Sequence, residues 1–377
     1  MKSCLLIAGE KSGEEHALSF YKELRDELPD VEFFGVGGDD LKKEGLDLVY
    51  NLRDFSTWGI SQAIKKVPYY LKALKTIESE VERRNCKTAI LIDYQTFNLK
   101  LAVKLQKKGV KILYYVAPQA WAWKAWRAKV LEKCVDTLFC IVPFEKKWFM
   151  QRGVSKAVSI KHPLLTHYEK GLKEFKRERK NLGKEKVNLL LLPGSRNFEV
   201  FGLLPIYAKV AKQLKKKFSI NISIVKSSSV SENGYLPYED LFDKVYTNED
   251  LEEALKESDI CMAASGTVNL ACALYEVPTV VGYTGSLLNE YIYYQFVNYK
   301  GYISLANIVH DKEVFPEMIV PYVTEYNVLK RMLRFFENTE YYNGVMDDLA
   351  KTQETISGED INIPSYMANK IRESYEY

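Results

Sequence analysis

The residues best placed to do chemistry are a carboxylate at the end of an apolar run and two Gly/Ser turns that each precede a helix. Ala89–Ile92 is apolar and stops at Asp93. A carboxylate there stands at the carboxyl edge of a sheet, where open α/β folds bind ligands, and could take a proton from a hydroxyl. An Asp that only caps the next element would leave the same pattern. Val187–Leu192, apolar except for Asn188, breaks at Pro193-Gly194-Ser195-Arg196, and a helical pattern begins at Glu199. Backbone N–H groups at such a turn, with Arg196 beside them, suit an anion such as phosphate; an ordinary βα turn with a surface Arg would look alike. Ser265-Gly266-Thr267 repeats the arrangement after Ile260–Ala264, so two turns could grip a diphosphate from two sides.

The elements that must position these residues follow from periodicity. Short apolar runs at 4–8, 33–36, 89–92, 111–116 and 138–142 alternate with helical patterns, and the alternation restarts at Val187 with further runs at 220–225, 260–264 and 279–282. Buried parallel strands read this way. The pattern predicts an α/β chain of two Rossmann-like halves, beginning about 185 residues apart by direct count. Glycines 9 and 13 do not make a G-x-G-x-x-G, so a dinucleotide fingerprint is not supported. The charged stretch 171–186 reads as a linker between domains at 1–170 and 187–330, with helices over 331–377 that could return to the first domain.

Composition narrows the class. The chain has 377 residues, enough for two cores, with 47% hydrophobic and 27% charged residues. A net charge of +3 is too small to imply nucleic acid. The six cysteines (4, 86, 134, 140, 261 and 272) show no C-x-x-C and no metal spacing, so reduced thiols in a cytosolic protein are expected. No apolar run reaches spanning length. Trp58 to Glu78 reads as a helix with an apolar stripe at Ile60, Ile64, Val67, Leu71 and Leu74, flanked by lysines including Lys65, and kinked at Pro68. It either packs on the core or lies on a membrane surface, with Trp58 among its anchors. Trp121, Trp123 and Trp126, interleaved with Lys124 and Arg127, form an aromatic-basic segment that could face lipid or sugar.

Taken together, several separated motifs resemble the lipid-A-disaccharide synthase family. They are Gly9-Glu10 with Ser12-Gly13, Ile92-Asp93 with Phe97-Asn98, Tyr115-Val116-Ala117-Pro118 through Trp121-Ala122-Trp123 and Arg127, Pro143-Phe144-Glu145-Lys146, His162-Pro163, Leu192-Pro193-Gly194-Ser195-Arg196 with Glu199, Ser265-Gly266-Thr267, Val280-Val281-Gly282-Tyr283 and Asn307. The resemblance covers almost the whole chain. It implies a GT-B glycosyltransferase, two Rossmann-like domains facing across a cleft. The implied reaction is inverting transfer of 2,3-diacylglucosamine from its UDP ester to the 6-hydroxyl of 2,3-diacylglucosamine 1-phosphate (lipid X). It implies UDP binding by Gly194, Ser195, Arg196, Glu199, Ser265, Gly266, Thr267 and Asn307, and acceptor binding by Glu10, Ser12, Gly13, Trp121, Trp123 and Arg127. Asp93 is the expected base, with Glu10 and His16 as rivals. Peripheral attachment to the cytoplasmic face of the inner membrane is implied, while oligomeric state stays open. No cofactor is expected, and no metal, because the sequence contains no D-x-D.

The sequence also departs from the family pattern. Glu14 stands for Asp; Gln95 and Thr96 replace Pro and Asp; Lys161 replaces Gly; Ala271 replaces Glu; Thr284 replaces a basic residue; Ala306 and Val320 replace Pro and Gln. A relative that binds nucleotide-sugar or lipid without turnover, or a GT-B enzyme with another acceptor, is the alternative. A UDP-sugar epimerase would leave the Trp-rich segment without a role.

Overall fold

The computed structural model describes residues 2–55, 67–284 and 301–376. The chain divides into two compact units, Met1–Thr166 together with Ser357–Tyr377, and His167–Ile356. Each is built on a wholly parallel sheet. The first contains β1 (Lys2–Ala8), β2 (Val31–Gly37), β3 (Asp47–Asn51), β4 (Thr88–Ile92), β5 (Lys111–Tyr115), β6 (Thr137–Cys140) and β7 (Ala157–Ser159), in the order β3-β2-β1-β4-β5-β6-β7. The second contains β8 (Val187–Leu192), β9 (Ile220–Val225), β10 (Lys244–Tyr246), β11 (Ile260–Ala264), β12 (Thr279–Tyr283) and β13 (Glu317–Ile319), in the order β10-β9-β8-β11-β12-β13.

Side-chain alternation explains why the central strands are apolar throughout. Leu5, Ile7, Phe34, Leu91, Ile112 and Tyr114 pack on one face of the first sheet. Cys4, Leu6, Phe33, Ile90, Leu113 and Tyr115 pack on the other. Both faces are covered by helices, so neither set can be polar. Each fully buried side chain of this size contributes roughly 1.5–3 kcal/mol. The helix Ile363–Glu373 covers part of the second face, seating Met367, Ala368 and Ile371 there. Tyr375 completes the attachment, its hydroxyl accepting from Ser3 N and Lys87 N at 3.1 Å each.

The charged stretch 171–186 belongs to the second unit. Arg177 donates to the carbonyls of Leu255 (2.8 Å), Lys256 (3.2 Å), Ser258 (2.6 Å) and Tyr275 (2.7 Å). Its guanidinium thus satisfies carbonyls at the end of the helix Leu251–Glu257. The six cysteines are buried and unbridged. In the helix Val67–Arg83, Ala73, Leu74, Ile77 and Val81 face the core while Val67 and Leu71 are 48% and 52% exposed. Pro68 is the second residue of the described helix. Trp58, Ile60, Ile64 and Lys65 lie outside the described residues.

In both sheets the strand order reverses beside the first strand. That leaves a crevice at the carboxyl ends of β1 and β4 in one unit and of β8 and β11 in the other. The loops there carry the residues singled out by their chemistry.

Candidate active site

In the first unit Ala8 pairs with Ile92, which sets Gly9-Glu10 beside Asp93. Asp93 and Tyr94 both take a left-handed backbone, with φ of 44° each, and Val116 and Lys124 follow at 66° and 59°. The other described non-glycine residues in this region of φ are Asn85, Glu276 and Asp311. These three stand just after helices, where such a conformation is routine. The first four instead crowd the loops after β4 and β5, and for β-branched Val116 the conformation is a genuine outlier. Backbone strain of this kind, of order 1–3 kcal/mol per residue, gathers at functional sites.

The surroundings hold that conformation in place. Asp93 N donates to Tyr115 O at 2.9 Å, and Asp93 O accepts from Asn98 Nδ2 and the Tyr114 hydroxyl at 2.9 Å each. Asn98, fully buried, also donates to Ile92 O at 3.0 Å. The Tyr94 ring lies so close over Gly9 that any Cβ there would overlap it.

The Asp93 carboxyl has no ion-pair partner among the described residues. Burial, and secondarily the charge of Glu10, push its pKa up to about 6, against the pull of the Tyr94 amide. That suits a group that must hold and release a proton near neutrality. Glu10 itself is exposed. Ser12 is half-buried, and Gly13 faces the sheet, where a Cβ would touch Ala8 and Ile92. A Cβ at Gly13 would meet these atoms only at ordinary contact distance. Glu14 is buried, its Oε1 accepting from Leu41 N at 3.3 Å and its Oε2 from Lys11 Nζ at 3.2 Å. The longer acid at that position reaches the start of the helix Asp39–Lys43. His16 is held neutral, its pKa lowered to about 4 by burial.

The Trp segment separates into two kinds of residue. Trp121 turns inward: its indole N–H donates to Glu145 Oε1 at 2.9 Å, and its ring packs edge-on against Phe144. Trp123 and Trp126 remain 41% and 58% exposed. Glu145, fully buried, also accepts from Val142 N at 3.2 Å. Burial raises its pKa to about 7, with the Asp93 charge adding to the effect. The P-F-E-K motif was visible in sequence, but nothing there showed that its acid reaches back to anchor a Trp. Arg127, with only 3% of its surface exposed, donates through Nη1 to Gln95 Oε1.

In the second unit Leu192 pairs with Ala263, so Pro193-Gly194-Ser195-Arg196 and Ser265-Gly266-Thr267 leave the sheet side by side. The helix after the first turn begins at Asn197, two residues earlier than its periodicity suggested. The first turn supplies its own anion. Glu199 Oε2 accepts from Ser195 N at 3.0 Å and Arg196 N at 3.2 Å, and Arg196 Nη1 lies 3.4 Å from Glu199 Oε1. Burial raises the Glu199 pKa, and Arg196 opposes the shift. Gly194, at φ 117°, is obligatory because a Cβ would overlap the Glu199 side chain.

The second turn is open. Gly266 and Thr267 are exposed, with nothing within 4 Å of a Cβ at Gly266. Buried Asn269 shapes it, donating to Ala264 O at 3.2 Å and Gly266 O at 3.1 Å. Asn98 and Asn269 thus perform one task in the two units, each clamping carbonyls where a central strand ends. Ser265 N donates to Gly282 O, so that amide is spent within the sheet. Asn307 has a different place from the one expected. It is fully buried, donating to Phe315 O (2.8 Å) and Glu317 Oε2 (3.0 Å) and accepting from Val314 N (2.9 Å) and Phe315 N (2.8 Å). All its capacity goes into the chain, so it braces a loop and leaves no atom for a ligand. Ala271 is likewise buried within the helix Val268–Leu274. Among the described residues no three His, Cys, Asp or Glu side chains converge as a metal site.

Residues 4–371 match the lipid-A-disaccharide synthetase family. The chain belongs to that family. A lipid-A-disaccharide synthase of Myxococcus xanthus is 31% identical over 341 residues, 88% of this chain and 87% of the relative. One from Legionella pneumophila is 31% identical over 368 residues, 94% and 93% of the two chains. Among solved structures, Acinetobacter baumannii MurG aligns over 99% of this chain and 100% of its own with a TM-score of 0.62 and 13% identity. An S. aureus MnaA–UDP structure aligns over 100% and 96% with a TM-score of 0.61 and 10% identity. At such identities these structures speak for the fold alone, which is GT-B. The lipid-A-disaccharide synthetase family makes this chain a glycosyltransferase of lipid A synthesis.

Proposed function

We propose that the protein joins UDP-2,3-diacylglucosamine to lipid X in a single inverting displacement with Asp93 as the base. The acceptor's 6-hydroxyl oxygen attacks the anomeric carbon, its proton passes to Asp93, and the bond to UDP breaks, carrying the electron pair onto the diphosphate. The observation that supports this most directly is the Asp93 loop itself. Its carboxylate stands at the switch point, on strained backbone, with no ion-pair partner among the described residues. Burial keeps it basic enough to accept a proton near neutral pH. In the second unit the open Gly266 and Thr267 amides and Arg196 supply donors suited to UDP phosphates.

Association with a membrane surface is supported by exposed apolar groups beside basic ones. Val67 and Leu71 stand next to exposed Lys72 and Lys75, and Trp123 and Trp126 next to Lys124. Among the described residues no helix is long and apolar enough to cross a membrane. The departures at Ala271 and Thr284 favour a second reading, a donor whose nucleotide is held differently. Incubating the protein with UDP-diacylglucosamine and lipid X, and weighing the products, separates the two. Disaccharide and UDP are expected, and Asp93→Asn should lower turnover at least about 100-fold while UDP still binds. Near-normal turnover by that variant would remove Asp93 from the role.

A further inference from the structure

Arg127 presents an unusual electrostatic situation. It opens the helix Arg127–Cys134 and is almost wholly buried. Among the described residues its side chain donates only to the neutral amide of Gln95, and its Nε–H is buried with no acceptor. Among the described residues no carboxylate pairs with it. Its neighbours add positive charge: Lys124 Nζ lies 3.9 Å from the Trp123 ring centroid, and the Arg127 guanidinium carbon 5.2 Å from the same ring. Burial lowers the pKa of both cations, and Arg127 lowers that of Lys124 further. Two cations facing one indole, one of them buried, are costly unless an anion completes the set. Lys124 also has a left-handed backbone, with φ of 59°.

We propose that Arg127, aimed by Gln95 and backed by Lys124, forms a pocket for a sugar phosphate monoester and reads the 1-phosphate of the acceptor. The inference rests on the disaccharide-forming reading for the identity of that sugar. Gln95 is the second residue after Asp93, and the Tyr114 hydroxyl that holds Asp93 O also lies within the electrostatic reach of Arg127. A phosphate gripped at Arg127 would therefore orient the sugar with respect to the base. The family's usual Pro at position 95 could not make this contact, so the Gln departure gains a purpose: it is a positioning residue that holds Nη1 while Nε–H stays without an acceptor in the chain. Trp123 offers the sugar ring an aromatic face beside them.

The test has a binding arm and a turnover arm. Calorimetric titration of the full chain with glucosamine 1-phosphate, glucosamine and inorganic phosphate should show glucosamine 1-phosphate binding about 10- to 100-fold more tightly than glucosamine. Arg127→Gln should erase that preference, Arg127→Lys should keep part of it, and Gln95→Leu should reduce it several-fold. A wild-type protein with no preference for the phosphorylated sugar overturns the pocket, even where Arg127 variants fail to fold. So does a preference that folded Arg127→Gln retains, and so does inorganic phosphate binding as tightly as the sugar phosphate. In the turnover arm the ratio of kcat/KM for lipid X over its 1-dephosphorylated form should collapse in Arg127→Gln. Equal use of both acceptors by the wild type would refute the pocket and keep the disaccharide reading. Phosphate-dependent binding through Arg127 without any disaccharide would keep the pocket and refute that reading.

Discussion

Asp93 combines a task and a cost in one side chain. As a base it must be ionised, so kcat/KM should fall with a slope of one as pH drops through about 6. Glu10 contributes to the elevation by repulsion, so Glu10→Gln should move that limb to lower pH; an unmoved limb would separate the two carboxylates. The same elevation bears on stability. A carboxyl whose pKa is raised by folding is bound to a proton more often in the native state, so stability is lost as pH rises from about 4 through about 6. The loss is at most about 3 kcal/mol for a shift of this size. Asn has nearly the same shape, carries no charge and tolerates a left-handed backbone well. Asp93→Asn should therefore melt higher than the wild type at pH 7.5 and level with it at pH 4. A lower melting temperature at pH 7.5 would mean that the carboxylate is stabilised by contacts other than those described.

At the scale of elements, the Pro193–Arg196 turn and its helix act together. Glu199 occupies the Ser195 and Arg196 amides, so these are not free for phosphate unless the carboxylate leaves. Arg196→Ala should weaken UDP binding by about 1.5–3 kcal/mol. Glu199→Ala should cost about 1 kcal/mol of stability as a lost helix cap and leave UDP affinity equal or slightly tighter. A large loss of affinity in Glu199→Ala would show that the acid touches the nucleotide. The sequence made Val187–Leu192 and its turn plain, because a strand buried on both faces must be apolar and a Gly turn must end it. It did not show that Glu199 folds back, since an acid at the third helical position equally serves a solvent-facing surface. The strands at 47–51, 157–159, 244–246 and 317–319 carry no such signal, for a related reason. Each is an edge strand, short and partly exposed, and so released from the apolar pattern that betrays the centre. Asn98 was visible within a motif, but its clamp on two carbonyls needed the backbone to be seen, as did the burial of Asn307.

For the molecule as a whole, exposed Leu71 and Trp126, each with lysines nearby, lie in the same unit as Asp93. Each apolar group contributes about 1.5–3 kcal/mol when covered, so Leu71→Ser with Trp126→Ala should release the protein from anionic vesicles in a flotation assay. Unchanged flotation would place the contact elsewhere. The first unit also depends on the distant segment Ser357–Tyr377. Deleting it strips Met367, Ala368 and Ile371 from the core and the Tyr375 hydroxyl from Ser3. The first unit should then lose its cooperative melting transition while His167–Ile356 keeps its own; calorimetry showing both transitions intact would contradict this. The same closure sets a timetable for synthesis. The helix Ile363–Glu373 follows the whole of His167–Ile356 in the chain, so the face around Leu6, Ile90 and Phe139 waits without its covering helix while the second unit is synthesised. The second unit is complete before the first can close. The nascent chain therefore carries an uncovered sticky surface throughout the making of the second unit, a natural target for chaperones.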